Sequence, residues 1–161
     1  MRRLVVLAAL VACGACGKQG EVSGIGAYRF GRTTRGSIHD GICQPTDLND
    51  GRKATWCFAL PPFKVGQRTA EVDAYFLGTA DSAPLIELQL KIRGCVENDA
   101  DQWMRQRFGA PIETKGPAEF WKTSTMWAGA WLPSEPGRCI IHFLPLSENS
   151  EIERLKLTPK G

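Results

Sequence analysis

Over Leu85–Arg93 apolar and polar residues alternate without a break, Ile86, Leu88, Leu90 and Ile92 against Glu87, Gln89, Lys91 and Arg93. Four cycles of period two place the apolar set on one face of a strand and the charged set on the other. A strand wetted on one face belongs in an antiparallel sheet, because parallel sheets are covered on both sides. Residues 70–77 behave alike, with Ala70, Val72, Ala74 and Phe76 opposing Glu71, Asp73 and Tyr75. The turn-rich residues 78–84 join these two strands as a hairpin. Residues 54–60 read as a further strand, stopped by Pro61-Pro62.

The clearest helical pattern lies at 99–108. Asp99-x-x-Gln102 is a capping-box spacing, and Ala100, Trp103, Met104 and Phe108 share one face. Gly109 supplies the C-cap and Pro111 blocks continuation. The acids Glu97, Asp99 and Asp101 lack the other ligands of a calcium loop and suit the positive end of a helix. Strands at 119–124, 125–132 and 139–144 follow, the last two joined by a turn around Pro133 and Pro136.

Setting Pro45 against Pro111 gives an offset of 66 residues. It aligns Thr33 with Asp99 as caps, Ile38 with Met104 and Ile42 with Phe108, and leaves Trp56 one residue out of register with Trp121. The expectation is an α+β fold of two degenerate repeats, each one helix plus about three antiparallel strands, with both helices on one side of the sheet. The first helix is the weaker of the two, since Gly36 and Gly41 lower its propensity. The element order over roughly residues 28–146 resembles the tandem helix-plus-sheet modules of the beta-lactamase inhibitor protein family. Each half is similar to the small BamE-like lipoproteins of outer-membrane assembly. No functional residue carries over from either resemblance.

The chain begins Met-Arg-Arg and continues with nine apolar residues, Leu4 to Ala12, before Cys13. This is the n-region and h-region of an export signal. As a helix it spans about 14 Å, far short of the roughly 30 Å of a bilayer core, and does not serve as a transmembrane anchor. Leu10-Val11-Ala12-Cys13 resembles the lipobox of bacterial lipoproteins, which implies cleavage before Cys13 and acylation of its thiol. Cys16, preceded by Ala15, is the alternative lipidation site. Gly14 after Cys13 implies outer-membrane sorting if the cell is Gram-negative. The organisation expected is a signal peptide at 1–12, a lipidated flexible tether at 13–27 and a single α+β domain at 28–161, with halves at about 28–94 and 95–161. Gly24-Ile25-Gly26 lacks the Lys-Ser/Thr ending of a phosphate loop and falls to the tether.

Composition removes some functions. The formal charge of +3 includes Arg2 and Arg3 of the leader; without them 18 basic residues face 17 acidic ones. No basic patch then argues for nucleic acid. Cys43, Cys57, Cys95 and Cys139 form an even set, which in an oxidising compartment reads as two disulfides. The pairing Cys43–Cys57 and Cys95–Cys139 keeps each bridge within one half. No C-x-x-C pair exists in the body and the two histidines are far from ligand spacing, so neither metal nor cofactor is expected.

Catalytic patterns are equally thin. His39 sits beside Asp40, and His142 lies between Ile141 and Phe143 within a strand. No G-x-S-x-G, H-E-x-x-H or P-loop occurs. Glu71, Asp73 and Glu87 lie on neighbouring strands, where an alternation of acids with Arg and Lys reads first as a solvated face. The best functional signal is aromatic. In residues 125–132, Met126, Ala128, Ala130 and Leu132 alternate with Trp127, Gly129 and Trp131. If the small residues meet the helices, Trp127 and Trp131, with Trp121 nearby, stand on an open face as binding anchors; if not, they are core. The leading expectation is a non-catalytic envelope lipoprotein, membrane-bound through lipid, that binds or assembles another envelope protein. A small-molecule or glycan binder using the same tryptophans and a carboxylate-based hydrolase are the alternatives.

Overall fold

A computed structural model describes residues 23–157 of the chain; the expected leader, Cys13 and Cys16 lie outside them. The chain opens with a small hairpin, β1 (Gly24–Ile25) and β2 (Tyr28–Arg29). Then come β3 (Ile42–Asp47), β4 (Lys53–Phe58), β5 (Phe63–Val65), β6 (Arg68–Leu77) and β7 (Leu85–Arg93). Helix α1 (Glu97–Phe108) leads to β8 (Glu113–Lys115), β9 (Ala118–Lys122), β10 (Met126–Glu135) and β11 (Arg138–Pro145), and α2 (Asn149–Leu157) follows. Strands β3 to β11 form one antiparallel nine-stranded sheet in the order β3-β4-β6-β7-β11-β10-β9-β8, with β5 also paired to β6. Its centre is β7 against β11, Leu90 opposite Ile141.

The expected two helix-plus-strand repeats are not present, and this corrects the α+β reading. Where the first helix was expected, Arg35–Ser37 makes one 3-10 turn and the chain enters β3 at Ile42. The cause is local. Gly41 has φ +86°, and a Cβ there would stand 2.5 Å from the Phe58 carbonyl oxygen. Its conformation brings two backbones together and ends any helix. The offset of 66 also fails in space: Ile42 is an exposed strand residue, whereas Phe108 ends α1 against Phe143. Residues 24–27, assigned to the tether, are part of the fold, with Ile25 1% exposed.

The helices pack on opposite faces of the sheet, not on one side. Helix α1 buries Ala100, Trp103 and Met104 against a core that takes Val72, Ala74 and Phe76 from β6, Leu88, Leu90 and Ile92 from β7, and Ala128 and Ala130 from β10. It starts three residues earlier than its capping box suggests; Val96 is the N-cap in place of Asp99, which sits in the first turn. Glu97 and Asp99 at that end, with Arg105 and Arg107 at the other, complement the helix dipole. The Gly109 N–H closes α1 on the Arg105 carbonyl at 2.9 Å. Helix α2 brings Ile152 and Leu155 down on the other face, onto Ala118, Phe120, Trp127, Trp131 and Leu144. Both disulfides form as paired in the sequence, Cys43–Cys57 between β3 and β4 and Cys95–Cys139 from the start of α1 to β11.

Candidate functional site

The three tryptophans proposed as an open binding face are core. The small residues of β10 do face α1, which turns Trp127 and Trp131 to the opposite side, but α2 covers them there and leaves them 6% and 5% exposed. Trp121 points the other way, into the α1 core, and donates from Nε1 to the Gly109 carbonyl at 3.0 Å. Gly129 fits this packing because a Cβ would lie 3.1 Å from the Phe120 ring and 3.3 Å from Trp131. The missing information was a second helix on the other face of the sheet.

Helix α2 covers only the β9–β10–β11 side of its face. Beyond it the same face continues over β7, β6, β4 and β3, where Glu87, Tyr75, Trp56 and Gln44 lie in cross-strand register. On this uncovered half Trp56 stacks on Tyr75, with ring centroids 6.3 Å apart and planes 10° from parallel. Phe58 adjoins Trp56 at 4.5 Å, and Ile42, opposite Phe58 in register, is 57% exposed. The sequence signal was the alternation of Trp56 and Phe58 with Thr55 and Cys57: a cysteine turned to the core sends both aromatics outward.

The acids Glu71, Asp73 and Glu87 share this face, each with a basic partner. Asp73, 5% exposed, accepts from Lys91 Nζ at 2.5 Å and from Trp56 Nε1 at 3.0 Å, so the ion pair fixes the indole. Glu71 pairs with Arg93 at 2.8 Å. Glu87, 8% exposed, meets His142 Nδ1 at 2.6 Å and accepts from Gln89 Nε2 at 2.9 Å. Burial pushes the Glu87 carboxyl up, but the hydrogen bond and charge of His142, with Gln89 and Arg154, leave it below the ordinary carboxylate range. Tyr75 moves the other way, its phenol raised by burial and then by the charges of Glu87 and Asp73.

A cleft of about 240 Å³ lies where the two halves of the face meet, floored by Tyr75, Glu87, Gln89 and His142. One wall is the start of α2 and the other is the β3–β4 turn. They are tied by Arg52, which donates to both oxygens of Glu148 at 3.1 and 2.5 Å. Trp131 touches the His142 ring edge-on at 5.1 Å, joining the buried aromatic half to the open one.

One acid pair has a raised member, and it lies elsewhere. Burial, then Asp101, pushes the Glu119 carboxyl up on the α1 side of the sheet, where Arg105 binds both carboxylates. The pair bridges a helix to a strand. No family, no curated protein and no solved structure matches the chain when it is compared with known proteins.

Proposed function

We propose that this chain is an exported envelope lipoprotein, acylated at Cys13, that binds another envelope protein through the uncovered half of its sheet. The observation that carries the reading is the Trp56–Tyr75–Phe58 cluster, which borders exposed Ile42 on the part of the face that α2 leaves open. Aromatic side chains held in place on a sheet offer large contact area with little rotamer entropy to lose. Trp56 is held in advance, because its N–H is engaged by Asp73 and its ring lies under Lys91 at 5.9 Å. Around the cluster Lys91–Asp73 and Arg93–Glu71 supply a charged rim.

The test is in-cell photo-crosslinking from position 42, with wild type beside Trp56→Ala/Tyr75→Ala, after circular dichroism establishes that the variant folds. One discrete envelope protein captured by the wild type and reduced about thirtyfold in the variant is the expected result, in line with two aromatic anchors of about 1 kcal/mol or more each. The same capture in both proteins refutes the face. Cys13→Ser is expected to move the protein from the membrane to the soluble fraction; retention on the membrane refutes the anchor.

The cleft beside the stack favours a second reading, a small polar ligand such as a glycan, stacked on Tyr75 and bonded by Gln89 and His142. Soluble oligosaccharides that raise the melting temperature of the wild type and not of Tyr75→Ala would support it. A carboxylate-based hydrolase draws less support: a general acid needs a raised carboxyl, Glu87 in the cleft is lowered, and the raised Glu119 is tied with Asp101 to Arg105 away from the cleft.

A further inference from the structure

We infer that a groove at the root of the tether is a site for an anionic phospholipid of the membrane on which the chain is anchored; this rests on the lipoprotein reading above. The groove has about 550 Å³ and lies between the β1–β2 hairpin with its following loop and the residues that join β4 to β5. Its floor is apolar: Ile38 and Leu60 below, Pro61, Pro62 and Phe63 along one side. Phe63 is fixed there, edge-on to Trp103 of α1 at 6.0 Å and close enough to residue 26 to need a glycine, where a Cβ would stand 2.9 Å from its ring.

The rim is cationic. Arg29, Arg32 and His39 line it with Asp40 as its one acid. Arg29 and Arg32 are exposed and stand in no ion pair among the described residues; Arg68 and Arg107 are likewise unpaired but do not line the groove, and the other six described arginines are each paired with an acid. Two free guanidiniums over an apolar floor match a phosphate diester joined to acyl chains, since guanidinium binds phosphate oxygens in pairs and aliphatic carbon takes the floor. Burying apolar floor against solvent alone would leave that complementarity unused.

Position selects a lipid of the host membrane over a free anion. Ten peptide steps separate Cys13 from Ser23, a reach of at most about 35 Å. Ala27, Tyr28 and Arg29, a few residues further on, line the groove, so a chain acylated at Cys13 holds it within reach of the bilayer. The Trp56 face lies on the other side of the sheet, away from the α1 core to which Ile25 and Phe30 belong. One side then meets lipid and the other meets protein.

The test uses full-length protein expressed in a bacterium whose membrane contains phosphatidylglycerol. A photo-crosslinking residue replaces His39 at the groove or, as a remote control, Ser150 on α2. Mass spectrometry of the irradiated protein is expected to show a phosphatidylglycerol adduct at position 39 and none at 150. In Arg29→Glu/Arg32→Glu, and more mildly in Arg29→Gln/Arg32→Gln, the adduct should fall by at least about tenfold. Equal adducts at both positions, no adduct at 39 in membrane-bound protein, or an adduct indifferent to both pairs of substitutions overturns the inference. If the wild type fractionates as soluble, the anchor has failed separately. Vesicles of phosphatidylglycerol beside vesicles of phosphatidylcholine then decide the groove: binding to the first that needs Arg29 and Arg32 sustains it, and its absence overturns it.

Discussion

Glu87 sits at the junction of the two halves of the sheet face, 8% exposed, and is the residue on which most of the local electrostatics turn. Burial alone would favour its protonated form, yet His142 at 2.6 Å and Gln89 at 2.9 Å bind the carboxylate and hold its pKa low. A carboxyl whose folded pKa lies below its unfolded value adds stability that is complete above the unfolded value. That contribution is lost as pH falls through the folded value. Glu87→Gln should therefore be less stable than wild type at pH 7, by about 2 kcal/mol for hydrogen bonds to a charged group. The gap should close on acidification below about pH 4.5, the wild type losing stability faster than the variant. Urea unfolding of both proteins from pH 7 to pH 3 measures it. A constant gap would mean that the carboxylate form is not what His142 and Gln89 stabilise.

At the scale of elements, α2 decides which tryptophans are surface and which are core. Ile152 is 0% exposed and lies in the cluster with Trp127 and Trp131, so Ile152→Ala removes packing that no strand can replace. The expected loss is about 3 kcal/mol, read as a lower denaturation midpoint, with tryptophan emission shifted to the red as solvent reaches β10. An unchanged midpoint and spectrum would mean that α2 does not lie on this face. The same helix explains what the sequence could and could not yield. Strand β7 was legible because one of its faces is charged, and its observed span, Leu85–Arg93, is the alternation itself. Strand β10 is apolar on both faces because both are covered, so periodicity could not say which side was inside. Helix α2 offers only Ile152, Leu155 and Leu157 among its nine residues, too few for a 3.6-residue stripe to stand out. The open face was hidden for the same reason: Trp56 and Tyr75 become surface residues only once α2 is known to stop short of them. Strand β3 escaped because it is an edge, with exposure at Ile42, Gln44, Pro45 and Asp47 and no alternation to read.

Among the described residues one nine-stranded sheet carries two unequal helical covers, with the small β1–β2 hairpin beside it, and the disulfides brace different parts of that sheet. Cys43–Cys57 ties edge strand β3 to β4 across a separation of 14 residues. Cys95–Cys139 ties the start of α1 to central strand β11 across 44. Loop-closure entropy gives about 3 kcal/mol for the first and about 4 kcal/mol for the second. Position widens the difference. An edge strand can detach while the rest stays folded, whereas the root of α1 opens only with the main core. Cys95→Ser/Cys139→Ser is expected to lower the global unfolding free energy by about 4 kcal/mol. Cys43→Ser/Cys57→Ser should cost less globally and show its effect locally, as faster amide hydrogen exchange confined to β3 and β4. Because Ile42 and Gln44 belong to the proposed protein-binding face, that variant should also weaken partner capture. Equal global losses, or exchange that quickens evenly through the sheet, would show that β3 is not an independently opening edge and that the face is held by the whole core.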